Sequence, residues 1–246
     1  MEKVIYYLLS AIAALIALTV HEYCHGYAAY KMGDDTVKNL GRLTLNPLKH
    51  IDPYGALCMI FFHIGWAKPV PINARNFDNP RKGFAITAAA GPAINLILGF
   101  FSAPLFILAW NGYVKAVVST GDAGGFTLNL LYNLVTFLSA FHAINVGLGL
   151  FNLLPIPPFD GSRLLYVFLP PKYYFGIMKY EKKIYLGVLV WLLAGDYVCR
   201  VVRLIPLIQQ SRALYWLSGV FSLSGMIGTV INGVSNLMLD FWQLFI

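Results

Sequence analysis

Apolar residues run almost unbroken through five stretches of the chain, at about residues 4–30, 84–110, 127–151, 184–205 and 214–239. Each is long enough to cross a hydrocarbon core of ~30 Å as a helix, which takes about 20 residues. The fifth is the weakest. It is rich in Gly and Ser, which suit close helix packing in a membrane. The pattern predicts an all-α polytopic membrane protein, a bundle of about five transmembrane helices. The first run is longer than a signal-peptide core and no small-residue cleavage site follows it, so it is expected to be a retained span.

Residues 31–83 break the pattern. They contain GRLTLNP (41–47), an apolar piece GALCMIFFHIGW (55–66), and AKPVPIN (67–73). The central piece is too short to cross as a helix and reads as a re-entrant or interfacial element. The pieces beside it alternate as strands do, with prolines that suit an edge. A re-entrant, strand-containing region over about residues 35–75 is therefore expected between the first two spans. Strand-like pieces there could hold an unwound peptide by β-addition.

Composition agrees with the membrane reading. Of 246 residues, 58% are hydrophobic and 12% charged, about half the charge of a soluble domain. The net charge of +7 does not point to nucleic acid, because the basic residues flank apolar segments rather than alternate with aromatic ones. Their distribution predicts topology. Residues 31–83 carry Lys31, Lys38, Arg42, Lys49, Lys68, Arg75, Arg81 and Lys82; residues 152–183 carry Arg163, Lys172, Lys179, Lys182 and Lys183; residues 111–126 carry only Lys115. By the positive-inside rule the first and third connections are cytoplasmic and the N-terminus is extracytoplasmic. Arg200, Arg203 and Arg212 then fall on the wrong side, a conflict confined to the last two spans. Cys24, Cys58 and Cys199 form neither a disulfide framework nor a zinc ribbon, and read as apolar residues.

Chemistry enters at His21-Glu22-Tyr23-Cys24-His25, an HExxH inside the first span. Helical spacing of four puts both imidazoles on one face, where they can share a metal, and Glu22 beside them can serve as general base. Two His and a Glu in an apolar span are costly and mark function. A catalytic zinc commonly takes three protein ligands and keeps one open position. His50, His63 and His142 read as structural, with His50 and Asp52 a weaker pair that could reach the site from the loop. Asp160 is the better third ligand. It follows the third span in NLLPIPPFDG (152–161), where Pro155, Pro157 and Pro158 preclude a regular helix and a broken segment can line a polar cavity. His21 lies ~25 Å along the first span from residue 4, so the charge-derived orientation brings it and Asp160 toward the same cytoplasmic side.

An HExxH in a first span, GPAIN (91–95) in a second and NLLPIPPFDG after a third resemble the site-2 protease family of intramembrane metalloproteases. GRLTLNPLKHIDPYG and GWAKPVPIN resemble its compact bacterial and archaeal subgroup, which lacks PDZ and CBS domains. The likeness covers roughly residues 15–165, so residues 1–165 are expected to form a protease core. Residues 166–246 add membrane segments of unassigned role. The resemblance implies one Zn2+ held by His21, His25 and Asp160, with Glu22 as base, and a single-span membrane protein as substrate. Phe159 stands where the family has Leu, an apolar exchange. The resemblance also suggests that Asn152 binds substrate or the developing oxyanion, although a helix-end cap explains it equally. Asn95 either holds substrate or supports the site. Two other classes compete: a haem protein, which would need His on two faces, and a non-catalytic zinc protein such as a transporter or scaffold, which would have no use for Glu22.

Overall fold

The computed structural model describes residues 2–53, 55, 68–121, 125–211, 214, 218–219 and 222–246. Its elements are helical: α1 (Glu2–Lys31), the short α2 (Thr36–Asn39), α3 (Pro80–Thr120), α4 (Phe126–Asn152), α5 (Asp160–Phe168), α6 (Pro171–Met178), α7 (Glu181–Val202), α8 (Pro206–Gln210) and α9 (Leu223–Gln243).

Helix α3 shows how local signals set these bounds. Pro80 occupies the first turn, where its missing N–H costs nothing, and the Asn79 side chain accepts from the Lys82 N–H. The helix ends at Gly121, whose φ of 68° is left-handed. Its 41 residues make it about 60 Å long, so it extends well past a ~30 Å hydrocarbon core.

The core is a three-helix arrangement in which α3 and α4 share the largest interface and α1 packs on both. Small residues allow the close approach: Gly99 of α3 sits against Val146 of α4. Helix α5 packs under α3. Helix α9 docks on α3 and α4 through two polar contacts. Trp242 Nε1–H donates to the Phe100 carbonyl at 3.0 Å, and His142 Nε2 lies 2.7 Å from Ser235 Oγ.

The distribution of side chains is that of a membrane protein. Thr87, Asn95, Ser102, His142 and Asn145 are buried, whereas Ile97, Phe101, Leu105, Leu108 and Leu130 are exposed. In water this would waste apolar surface; in lipid the exposed faces are solvated by hydrocarbon and the polar groups must find partners inside.

Two expectations are corrected. Among the described residues three helices are long and apolar enough to span: Lys3–Lys31, Pro80–Thr120 and Phe126–Asn152. Helix α7, bent by 45° in its middle, makes a fourth if it crosses as one span. Five spans are therefore not found, because the Gly-, Ser- and Asn-rich α9 falls short in apolarity. Nor does any strand form among the described residues. Residues 43–46 are irregular and lead into a 3-10 turn at Pro47–Lys49; residues 68–73 are irregular and lead into another at Ala74–Asn76. Prolines 47, 69 and 71 interrupt the run of donors that a strand needs. The expected re-entrant piece, with Cys58 and His63, lies outside the described residues.

The stretch at 68–76 is instead held by side-chain bonds. Asp34, buried just past the end of α1, accepts from Asn73 N–H at 2.7 Å, Asn76 Nδ2 at 2.8 Å, Thr36 N–H at 3.1 Å and the Thr36 hydroxyl. Burial by itself would raise the Asp34 pKa, but these donors outweigh it and hold the carboxyl below its ordinary range.

Candidate metal centre

His21 and His25 lie one turn apart on α1, facing α3 and the start of α5. His21 Nε2 and His25 Nε2 are 3.0 Å apart, and Asp160 Oδ2 lies 3.2 Å from the first and 3.0 Å from the second. Among the described residues this is the one group of three or more such side chains able to share a metal. The ligand atoms around a tetrahedral zinc, with bonds of about 2.0–2.2 Å, are separated by about 3.3 Å. The triangle found here is slightly tighter than that.

The partners behind each imidazole decide its tautomer. His25 Nδ1 faces the Thr87 carbonyl at 2.7 Å, a group that can only accept, so Nδ1 carries the hydrogen. His21 Nδ1 faces Asn95 Oδ1 at 2.5 Å. The Asn95 amide is oriented by donating Nδ2–H to Asn145 Oδ1 at 2.8 Å and to the Ala17 carbonyl at 3.3 Å. Asn145 in turn donates to the Phe141 carbonyl at 2.8 Å. In the neutral rings both Nε2 atoms are then bare lone pairs, pointed at one another and at a carboxylate oxygen. Such a cluster of acceptors repels itself unless a cation sits among them, and two nitrogens with one oxygen are a donor set suited to zinc.

Helix α3 is shaped to admit these rings. A Cβ on Gly91 would overlap His25 Nε2 and stand 2.7 Å from His21 Nε2. Only a glycine leaves the apex of the triangle open. Pro92, next in sequence, lacks an N–H and disturbs the preceding turn, where Thr87 turns its carbonyl to His25.

Asp160 reaches the histidines because of the loop before it. After α4 ends at Asn152, residues 153–159 fold back and α5 begins at Asp160 itself. Asp160-Gly161 is thus the first turn of a helix rather than a hairpin-like turn. Gly161 lies under the doubled-back backbone. A Cβ there would overlap the Leu153 carbonyl and stand 2.5 Å from the Leu154 oxygen. Phe159 packs its ring against Phe151 at 4.4 Å between centroids, so the exchange for Leu keeps an apolar contact. Asp160 is partly buried and turns Oδ2 toward both imidazoles.

A cavity of about 400 Å³ opens beside the triangle and is lined by His21, Glu22, His25 and Asp160 together with Asn152, Pro69, Val70 and Ile72. Glu22 Oε2 accepts from the Val70 backbone N–H at 3.1 Å, which ties the 68–73 stretch to the site. Asn152 lines the cavity while its amide donates to the Leu148 carbonyl at 3.0 Å. Asn95 is fully buried behind His21 and its amide is spent on His21, Asn145 and Ala17. His50 is turned away, with Nε2 at 2.8 Å from the Thr44 carbonyl, and Asp52 accepts from Gly55 N–H at 2.9 Å. His142 bridges Gly99 and Ser235. Cys24 and Cys199 are free thiols.

The peptidase family M50 model matches residues 9–171. The chain belongs to this family, the site-2 protease family. The match takes in α1, α3, α4 and α5, which are the elements that build the triangle, and leaves out α7 and α9. Over 178 residues the chain is 42% identical to "Putative zinc metalloprotease YwhC" of Bacillus subtilis, spanning 70% of this chain and 76% of that one. "Putative zinc metalloprotease Rip2" of Mycolicibacterium smegmatis is 30% identical over 163 residues, and Rip2 of Mycobacterium tuberculosis 28% over 164. The chain spans 56% of the length of these mycobacterial relatives. No solved structure matches it.

Sequence reasoning missed Gly91, Thr87, Asn145 and Val70. Gly91 had a signal, since GPxxN lies on the span expected to face α1. Thr87 and Val70 act through backbone atoms and leave none.

Proposed function

We propose that this M50 member is an intramembrane zinc metalloprotease that hydrolyses peptide bonds within or near the transmembrane segment of single-span substrates, from a site toward the cytoplasmic side. The observation that carries the proposal is the convergence of two bare imidazole nitrogens and one carboxylate oxygen within about 3 Å, beside an open cavity and next to Glu22.

His21, His25 and Asp160 would hold the metal. Bound zinc supplies Lewis acidity, polarising a carbonyl and making a water acidic near neutral pH. Asn95 and Thr87 keep each Nδ1–H engaged, so that each Nε2 remains a ligand. Glu22 removes the proton from the attacking water and returns it to the leaving amine. The Val70 N–H on Oε2 holds the carboxylate in one orientation and leaves Oε1 for the water. Asn152 offers its second amide hydrogen to the substrate carbonyl. A helical substrate must unwind, because its carbonyls are otherwise bonded internally. Pro69, Val70 and Ile72 in the cavity wall support a role for 68–73 in lying alongside the opened segment. The basic 31–83 and 152–183 connections support the cytoplasmic orientation.

Glu22→Gln tests the reading, with the purified protein and a single-span substrate in liposomes. Zinc content should stay at one per chain while cleavage drops by at least about a hundredfold, the scale of general-base loss. Cleavage at the unsubstituted rate by that variant would refute the mechanism.

A further inference from the structure

The charged side chains in the cavity wall are not all used by the chemistry above. Asp160 faces both histidines, and Glu22 accepts from Val70. Arg163 also lines the cavity, one helical turn after Asp160 on α5 and so on the same face. Its guanidinium carbon lies 5.8 Å from the ring centroid of Phe84, another wall residue. Among the described residues it makes no hydrogen bond and no ion pair. Arg42 and Arg81, by contrast, donate to the carbonyls of Lys68 and Val167. Apart from the histidines, Arg163 is the cationic side chain among the described residues that line this cavity.

A planar fork of donors with no hydrogen-bonding partner among the described residues, in a wall whose apolar side chains are chiefly Leu, Phe and Val, is suited to one kind of guest. An anion entering an apolar cavity loses its water and needs charge-assisted hydrogen bonds in exchange. Guanidinium meets a carboxylate through two parallel N–H···O bonds, and ring stacking leaves its edge free for them. We propose that Arg163 is a substrate-recognition residue that binds a carboxylate of the peptide in the cavity. This rests on the protease reading and names the chemistry its substrate presents. The carboxylate has two sources: an Asp or Glu beside the scissile bond, or the new C-terminus that hydrolysis creates.

Binding is measured with full-length, zinc-loaded Glu22→Gln protein in detergent, so that no peptide is consumed. The probes are fluorescein-labelled poly-leucine single-span peptides with a Gly-Pro centre flanked by Glu, Gln or Lys. Shorter peptides ending at that centre are used as free acids and as amides. A side-chain source predicts that the Glu peptide binds roughly tenfold more tightly than the Gln peptide, the scale of one charge-assisted bond. A product source predicts the same ratio for acid over amide. In either case Arg163→Gln abolishes the ratio, and Arg163→Lys keeps part of it by retaining charge without the fork. Zinc content and melting temperature report whether the variants fold. Absence of both preferences in the protein that retains Arg163 overturns the proposal whether or not the variants fold. So does a preference that survives Arg163→Gln, or an equal loss for all peptides, which would mean that the backbone is being held. An unsubstituted enzyme that takes up no zinc and cuts nothing would instead refute the protease reading, and that outcome is read separately from peptide binding.

Discussion

Asn95→Leu should damage the metal centre without touching a ligand. Leucine has the same branched heavy-atom skeleton as asparagine, with bulkier methyl ends, and suits a helix in lipid, so the thermal melt below reports whether α3 shifts. What disappears is the acceptor 2.5 Å from His21 Nδ1 and the donor 2.8 Å from Asn145 Oδ1. His21 loses the contact that fixes its hydrogen on Nδ1, and the tautomer with a protonated Nε2 becomes accessible. Partners of this kind are worth 10- to 100-fold in metal affinity, or about 1.4–2.7 kcal/mol. The buried His21 N–H and Asn145 oxygen, each left without that partner, add roughly 1–3 kcal/mol of destabilisation apiece. The assay is competition for zinc with a chromogenic chelator in detergent, read beside a thermal melt. Asn145→Leu, one bond further from His21, should weaken zinc less than Asn95→Leu does. Zinc affinity within about twofold of the unsubstituted protein in Asn95→Leu would refute the assignment of the tautomer to Asn95.

Gly91→Ala separates site geometry from helix stability, because the two effects have opposite signs. Alanine favours a helix over glycine by about 1 kcal/mol, yet its Cβ would occupy the space of His25 Nε2. Zinc affinity and cleavage should fall at least about tenfold while the melting temperature holds; full zinc binding would show that the imidazoles can step aside. The 68–76 stretch should loosen in acid. The depressed Asp34 carboxyl contributes stability that is complete above its ordinary value of 3.8 and disappears as pH falls through its lower folded value. The protection factor of the Asn73 amide, its exchange rate compared with that of a free peptide at the same pH, should therefore fall below about pH 4, and Asp34→Ala should bring that lower protection to neutral pH at a cost of roughly 1–3 kcal/mol. A protection factor that is independent of pH would remove Asp34 as the anchor.

The corrections to the sequence reading have separate causes. Residues 41–47 and 68–73 alternate like strands, but a strand also needs a partner with matching donors, and Pro47, Pro69 and Pro71 remove several. What holds this region is Asp34, 39 and 42 residues away in sequence from the Asn73 and Asn76 groups it accepts. Among the described residues of the expected fifth span, α9 falls short of a span in apolarity. The Gly, Ser and Asn of α9 suit packing on α3 and α4, and they lower its apolarity below that of the other spans.

The sequence by itself determined the membrane setting and the paired histidines. Both are local: an apolar run must seek lipid wherever it folds, and four residues of helix put two side chains on one face whatever surrounds them. It also narrowed the candidate third ligand to Asp160, through a proline-broken segment at the right end of a span. Only the tertiary structure decided that these three side chains meet within about 3 Å across 135 and 139 residues of chain. Only it decided which nitrogen of each ring is free, because that depends on Asn95 and on the carbonyl of Thr87, contributed by another helix. Gly91 and Gly161 belong to the same class. Their value lies in an absent Cβ, and the space that absence leaves is defined by neighbours that local pattern does not specify.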